Sequence, residues 1–361
     1  MPPAIDPPRP PRVVLHLVDR TTGGVPVAVR SYIANTPAGL THVVASPHFD
    51  GAPAPVWREG NGVGEIRHAA WDVTTSLRAL SSLRRIVADV RPDVVHAHSS
   101  FPGVYARVLG TGRARLVYTP HCFAFERRDI GAAARMLYRA IERILRPRAD
   151  VLAAGGPGEA LAAAGLGYPE DRLLVIPNVP SVSRAPSARP RSESTADTVT
   201  VGMLGRWAPQ KDPDAFVSVV RGLRAELPGV NVRAKWIGGG EGAEDAPDDV
   251  EVTGWQSPEG VAAELAGLDV YVHTAAWEAA VAIAVLDAYE CGIPILARSI
   301  PAMPELPPAV RLDIGMPRLV EAVRAGRLDH WAADNRARWG RYLAGRFTPP
   351  SQRVALERVW G

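Results

Sequence analysis

Apolar residues in this chain gather into short runs, and between the runs they recur every three or four positions. In the first half the runs are RVVLHLVD, THVVASPHF, DVVHAHS, RLVYTPH, DVLAAG and LLVIPN, which are short enough and rich enough in Val, Leu and Ile to be buried strands. The segments between them carry the spacing of amphipathic helices. Such alternation predicts a parallel sheet covered by helices on both faces. It stops at PSVSRAPSARPRSESTAD, residues 180–197, which lacks apolar periodicity and is rich in Ser, Pro and Arg. It then restarts with VTVGMLG, VRAKWIGGG, VEVTGW, DVYVHTA and IPILAR.

This pattern predicts an α/β protein of two doubly wound, Rossmann-like domains facing each other across a cleft. Its expected parts are a disordered, proline-rich tail over 1–11, a first domain over 12–180, a linker over 181–197 and a second domain over 198–340. A final helix within 341–361 is expected to pack back on the first domain, with Thr348 as its cap and a proline in its first turn. The crevice at the carboxyl ends of the strands is the expected ligand site.

Composition narrows the class. The chain has 361 residues, 47% hydrophobic and 22% charged, which is ordinary for a globular protein with real cores. No apolar run has the length of a membrane span, and MPPAIDPPRPP has neither the basic start nor the apolar centre of a signal peptide. Cys122 and Cys291 have no metal-ligand or redox spacing, which fits a reducing, cytoplasmic setting. The net charge of +3 is unevenly spread: residues 1–185 hold 22 Arg against 15 Asp plus Glu, or +7, leaving −4 for the rest. Seven arginines fall in residues 127–148, opposed there by Asp129 and Glu142. They form either a solvated basic face or a peripheral contact with anionic lipid or an anionic acceptor.

Three stretches carry candidate chemistry. In VDRTTGGVPVAVRSYI, Gly23 and Gly24 stand between a strand and a helix, where free N–H groups and the helix dipole favour an anion. In LGRWAPQKDPDAF, Arg206 and Lys211 follow the first strand of the second domain, placed to neutralise a diphosphate. The chain has two lysines, Lys211 and Lys235, so a lysine here is notable. Asp212 and Asp214 form a short acidic pattern, but a helix cap explains them more simply than a metal does. In HAHSS and YTPHCF, His96 and His98 share one face of a strand and His121 ends the next strand. Without a suitably spaced carboxylate or cysteine, strand-end hydrogen bonding is the better reading than zinc.

GG, DVVHAHSSFPG, YTPH, VIPN, GRWAPQKD, IGGG, VTGW and WEAAVAIAVLDAYECGIPIL occur in an order and spacing that resembles the retaining glycosyltransferases of family 4 (group 1), which have the GT-B fold. The resemblance spans roughly residues 12–360. It implies that a nucleotide-sugar donor, a UDP-sugar, binds the second domain and that the acceptor, a saccharide, lipid-linked or small molecule, binds the first. Arg206 and Lys211 would hold the diphosphate beside Gly205, with Gly23 and Gly24 assisting from the other domain. His121 would face the reacting sugar together with Glu278, the backbone at Gly254 and Trp255 would contact the base, and Asp287 would take the ribose hydroxyls. His98, Phe101 and Glu126 are the acceptor-side candidates. No metal, cofactor or nucleic acid is implied.

Three departures from the family pattern stand out. Its paired acids follow E-x7-E, whereas Glu278 to Asp287 is E-x8-D, so either Glu278 bulges or Ala279 occupies the first acid's place. Val179 stands where glycine is common, and Gly155 or Gly156 where serine is common. An inactive partner subunit and a sugar-nucleotide epimerase are the alternative functions on the same fold.

Overall fold

The computed structural model describes residues 12–49, 52–53, 57, 66–72, 76–182 and 198–361. The expected tail 1–11 and residues 183–197 of the expected linker lie outside the described residues. The first sheet comprises β1 (Arg12–Val18), β2 (Leu40–Ser46), β5 (Arg67–Ala70), β6 (Val94–His98), β7 (Arg115–Thr119), β8 (Val151–Ala154) and β9 (Leu173–Val175). A two-residue hairpin, β3 (His48–Phe49) with β4 (Ala52–Pro53), stands apart from it. The second sheet comprises β10 (Thr198–Leu204), β11 (Asn231–Ile237), β12 (Val250–Val252), β13 (Val270–His273) and β14 (Ile295–Ala297).

Every pairing within the two larger sheets is parallel. The orders are β5-β2-β1-β6-β7-β8-β9 and β12-β11-β10-β13-β14. Each sheet therefore starts in its interior and winds outward both ways. The reversals fall between β1 and β6 and between β10 and β13, where the loops leave in opposite directions and open a crevice. β1 and β6 align with His16 opposite His96 and Val18 opposite His98.

Helices α1 (Gly24–Ala34), α2 (Ser76–Val90), α3 (Ser100–Leu109), α4 (Ala132–Leu145) and α5 (Pro157–Gly165) connect the first sheet, and α6 (Pro213–Glu226), α7 (Pro258–Ala266) and α8 (Ile283–Glu290) the second. In α1 Val29, Tyr32 and Ile33 are buried, at the spacing of one helical face. α9 (Leu312–Arg324) and α10 (Leu328–Leu343) cover the second core, and the domain boundary expected at 340 falls inside α10. Asn335 of α10 brackets Ile295, accepting from its N–H at 2.8 Å and donating to its carbonyl at 2.9 Å.

The last helix, α11 (Pro349–Trp360), starts at the expected cap. Thr348 Oγ1 accepts from Ser351 N, and Ser351 Oγ accepts from Thr348 N at 3.0 Å, so two free donors are satisfied reciprocally. Its Leu356, Val359 and Trp360 are buried with Val14, Tyr32, Val94 and Val117 of the first domain. Trp360 is 1% exposed and donates from Nε1 to His96 Nδ1 at 3.1 Å.

The strand runs read from the sequence are all present. β5 was not foreseen, because RHAA is short and its exposure pattern leaves no fully buried position. LLVIPN is a strand only over Leu173–Val175, at the sheet edge.

α4 is held at one end of its face. The Arg107 guanidinium and the Glu142 carboxylate meet at 2.8 Å with side-chain exposures of 0% and 4%, and Tyr118 donates to the same carboxylate at 3.0 Å. Partnering of this kind is what makes a buried charge tolerable. The rest of α4 leaves Met136, Leu137 and Ile144 exposed.

Trp360→Ala would remove a buried indole and its hydrogen bond to His96. Urea unfolding should show a loss of about 3 to 5 kcal/mol, the usual cost of emptying a buried tryptophan site; an unchanged midpoint would mean that α11 contributes nothing to the first core.

Candidate active site between the two switch points

The loops leaving β1, β6 and β7 face those leaving β10, β11 and β13. On the first side the turn into α1 has Gly23 at φ +88°, and no side chain caps the helix. A Cβ at Gly23 would lie 3.7 Å from Arg206 Nε, so Arg206 reaches across to the uncapped end of α1. Ser99, His121 and Cys122 have φ of 74°, 50° and 88°, left-handed values for residues that carry a Cβ. Such conformations cost energy and persist only where the surroundings enforce them. At the His121–Cys122 peptide Glu159 of α5 does so, since its carboxylate accepts from Cys122 N and from Gly155 N, each at 2.7 Å. Burial raises the Glu159 carboxyl to about 8, partly opposed by those two N–H groups.

On the second side, Lys211 and Glu278 form an ion pair with side-chain exposures of 15% and 11%. His273 Nε2 lies 3.5 Å from the same Glu278 oxygen. Burial pushes the Glu278 carboxyl up, but Lys211 and His273 more than offset it and hold it at about 2. The backbone is stitched in parallel: Ala276 N donates to Gln210 O at 2.9 Å, and Thr274 Oγ1 donates to Lys211 O at 2.8 Å. Asp212 caps α6 by accepting from Ala215 N at 3.1 Å and pairs with Arg298 at 2.7 Å. Capping therefore accounts for Asp212, as the sequence suggests.

Arg206 is half-buried and has no hydrogen-bond or ion-pair partner among the described residues. Burial lowers its pKa, and the like charges of Arg20 and Arg127 lower it further, with Glu278 opposing. The cleft is thus a cationic focus fed from both domains. It opens into a cavity of about 780 Å³ lined by Arg206, Trp207, Gly239, Gly240, Glu241 and Trp255. Gly205 lies under the Lys211 stem, 3.1 Å from Cε to a Cβ built there. At Gly240 a Cβ would fall 2.5 Å from Trp207 O, so the cavity floor requires glycine. Gly254 has φ +72°, and Trp255 beside it is 55% exposed, a free aromatic face at the rim.

Two expected roles need correction. Asp287 is 2% exposed, and its oxygens accept from Ser181 N at 2.5 Å, Ser181 Oγ at 2.8 Å and Val182 N at 3.2 Å. Burial raises it to about 7 against those three donors. The carboxylate is spent on the stretch joining the domains, not presented to a ribose. His98 is fully buried, with its ring nitrogens bonded to His16 at 3.0 Å and His121 at 3.1 Å, so it cannot meet an acceptor directly. The other acceptor-side candidates remain accessible: Phe101 is 60% exposed, and Glu126 is half-buried and raised by burial. Gly24 has open space where a side chain would be.

The glycine at 156 follows from the contact between the domains. Glu278 keeps the contact to Lys211, while Ala279 and Ala280 abut the first domain. A Cβ at Gly156 would lie 2.8 Å from Ala280 Cβ, and one at Gly158 would lie 2.5 Å from Pro301 O. A serine at Gly156 would collide with the facing domain. Sequence reading missed Arg20, Glu159 and His273. Arg20 alone left a signal, as a cation just after a strand end and before Gly-Gly.

Two facing Rossmann-like domains with cations converging from both have the architecture of GT-B glycosyltransferases. Residues 23–179 match the glycosyl transferase 4-like domain and residues 198–317 the glycosyl transferases group 1 domain. The chain belongs to the group 1 glycosyltransferase family. It is similar in structure to sucrose-phosphate synthase from Thermosynechococcus elongatus, with a TM-score of 0.74 at 15% identity over 97% of this chain and 98% of that one. It is also similar to HepE from Anabaena, solved in complex with UDP and glucose, with a TM-score of 0.71 at 16% identity over 95% of this chain and 98% of that one. An uncharacterized 41.2 kDa protein in the cps region of Klebsiella pneumoniae is 25% identical over 251 residues, 64% of this chain and 68% of that protein.

The Glu278 carboxyl sits below its ordinary 4.5, so it stabilises the fold fully above about pH 4.5 and loses that contribution as pH falls towards 2. Glu278→Gln should therefore flatten the acid limb of a urea-stability profile in that window. A second expectation concerns Asp287→Asn: calorimetry should give a UDP affinity close to the parent's, whereas a drop of ten-fold or more would return Asp287 to the nucleotide site.

Proposed function

We propose that the protein transfers a sugar from a UDP-sugar to a saccharide, lipid-linked or small-molecule acceptor, with retention at the anomeric carbon and without a metal. The observation that carries this reading is Arg206, half-buried and unpartnered among the described residues, aimed at the open N-terminus of α1 with Arg20 and Lys211 nearby. Like charges gathered around one cation that has no counter-ion among the described residues favour a bound polyanion. A diphosphate between Gly23 and Arg206 would meet backbone N–H groups from one domain and fixed cations from the other. The cavity beside Arg206 then takes the nucleoside, with the exposed Trp255 ring against the base. The UDP complex of HepE supports uracil as that base.

In this reading the reaction needs little proton chemistry from the second domain. As the glycosidic bond to the diphosphate breaks, charge grows on the leaving phosphate, where Arg206 and Lys211 stabilise it. The departing phosphate accepts the acceptor's proton on the same face of the sugar, which preserves the configuration. Lys211 starts paired with Glu278 and so is pre-positioned rather than free to wander. His121, partly exposed at the end of β7, faces the reacting sugar from the first domain.

The first domain also offers an anionic-membrane contact. Met136, Leu137 and Ile144 form an exposed apolar stripe on α4, flanked by the exposed Arg135, Arg139 and Arg143. Apolar residues beside arginines on one exposed helix suit the boundary of headgroups and acyl chains. A lipid-linked acceptor would meet the cleft there.

Lys211→Ala should lower turnover by about two orders of magnitude, the scale of one pre-positioned donor, with UDP-, GDP- and dTDP-sugars assayed side by side. Full activity would remove Lys211 from the site, and no response to any nucleotide would favour an inactive partner subunit. On vesicles, binding to anionic lipid should weaken as salt rises, and Leu137→Asp should weaken it at every salt concentration. Equal binding to neutral vesicles would exclude the arginines.

A further inference from the structure

Behind His121 the first sheet carries a feature that sugar binding does not use. His42 on β2, His16 on β1, His98 on β6 and His121 at the end of β7 come from four neighbouring strands and lie side by side on one face. Their rings are linked end to end. Thr36 Oγ1 meets His42 Nε2 at 2.7 Å, His42 Nδ1 meets His16 Nε2 at 2.9 Å, His16 Nδ1 meets His98 Nε2 at 3.0 Å, and His98 Nδ1 meets His121 Nε2 at 3.1 Å. His16 and His98 are fully buried and His42 nearly so, whereas Thr36 and His121 at the two ends are partly exposed.

Proton counting restricts this chain severely. Burial lowers the basicity of all four rings, His42 and His121 to about 4, so each is neutral near pH 7 and carries one proton. Three ring-to-ring hydrogen bonds need one proton each, which leaves the fourth for one end. Every ring must therefore bear its proton on the same nitrogen. With all on Nε2, His42 donates to Thr36 and His121 Nδ1 is left as an acceptor. With all on Nδ1, Thr36 donates to His42 and His121 offers an N–H at Nδ1. Any mixture leaves a buried bond with two protons or none, at a cost of about 1 to 3 kcal/mol.

The surroundings are compatible with a neutral chain. Tyr32 of α1 stacks over His96 and His121, and Trp360 of α11 meets His16 and His42 edge-on or tilted. Glu159 is the acidic neighbour, acting on Tyr32. A metal is the rival use of these rings, since nitrogens of His16, His96 and His98 lie within 4.8 Å of one another. His96 argues against it. Trp360 Nε1 can only donate, so His96 Nδ1 is its acceptor, and His96 Nε2 is bonded to Thr119 Oγ1 at 2.8 Å.

We propose that Thr36, His42, His16 and His98 form a single-proton relay that couples the tautomer of His121 in the cleft to the far edge of the first domain. A proton accepted at His121 Nδ1 releases the Nε2 proton to His98 Nδ1. His98 passes its Nε2 proton to His16, His16 to His42, and His42 to Thr36 Oγ1, whose own hydroxyl proton leaves to water. One proton enters, one leaves, and no charge stays in the core. Thr36, His42, His16 and His98 are positioning residues acting through His121. Use of the relay during turnover rests on the sugar-transfer reading; its existence does not.

The test is ring-nitrogen resonance of the ¹⁵N-histidine-labelled full chain, free of nucleotide and at neutral pH, which reads each tautomer directly. The expected result is one tautomer shared by His16, His42, His98 and His121. In Thr36→Val, which removes only the hydroxyl at a partly exposed position, all four should carry the proton on Nδ1, because an Nε2–H on His42 would then lack its acceptor. Different tautomers among the four rings, in either protein, would overturn the relay. Added zinc should leave the ring signals in place, and a selective shift of His16, His96 and His98 would overturn it in favour of a metal site. A shared tautomer in a protein that transfers no sugar would keep the relay and sink the transferase reading.

Discussion

The ion pair between Lys211 and Glu278 is the contact on which the site's geometry depends. It joins the loop leaving β10 to the loop leaving β13, the two strands between which the second sheet reverses direction. Those strands pair only at Val201 with Val270 and Gly202 with Tyr271, so the loops beyond them need contacts of their own. The charge pair does so electrostatically, and the backbone bonds from Ala276 to Gln210 and from Thr274 to Lys211 do so directionally. Desolvating two charges is costly, and here it is tolerated because His273 and Gln210 supply further contacts to the carboxylate. The result is a lysine with little freedom beside an arginine with no partner among the described residues, an arrangement suited to a ligand that brings its own negative charge.

The joint between the domains is made of small residues and one buried acid. Gly156 and Gly158 approach Ala280 and Pro301 more closely than a side chain would permit. Asn178 donates to Val281 O at 3.0 Å, and Asp287 gathers the N–H groups that open the connection towards the second domain. Residues that look like lost functional positions in the linear sequence therefore serve the contact between domains. The same economy appears at the chain's end, where α11 crosses to the first domain and Gln352 donates to Pro177 O at 2.8 Å beside that connection.

The first domain combines a strained turn with an unusually polar strip in its core. The left-handed residues His121 and Cys122 are held by Glu159, and behind them the imidazoles extend inward across the sheet. Sheet cores are normally apolar because an unpaired polar group is expensive. Here each ring nitrogen from His42 to His98 has a partner, so the strip is tolerated, and its pairing makes the rings interdependent.

Local sequence determined the elements and their order, because apolar period and turn residues act within a few positions. Runs such as RVVLHLVD and DVYVHTA can bury themselves only as inner parallel strands, and TPPS begins a helix because its hydroxyls satisfy free N–H groups. The cationic phrase containing Arg206 and Lys211 was legible for the same reason: it directly follows a strand end. RHAA was not legible, since an edge strand has no burial pattern of its own and is a strand only because β2 pairs with it. The partners of Asp287, Glu159 and His98 were beyond reach of sequence. Each carboxylate or ring has the same chemistry in a cleft, a joint or a core, and what distinguishes them is which groups, 23 to 106 residues away for every partner but Gly155, are brought within about 3 Å. Chain folding decides that proximity, and no local pattern records it.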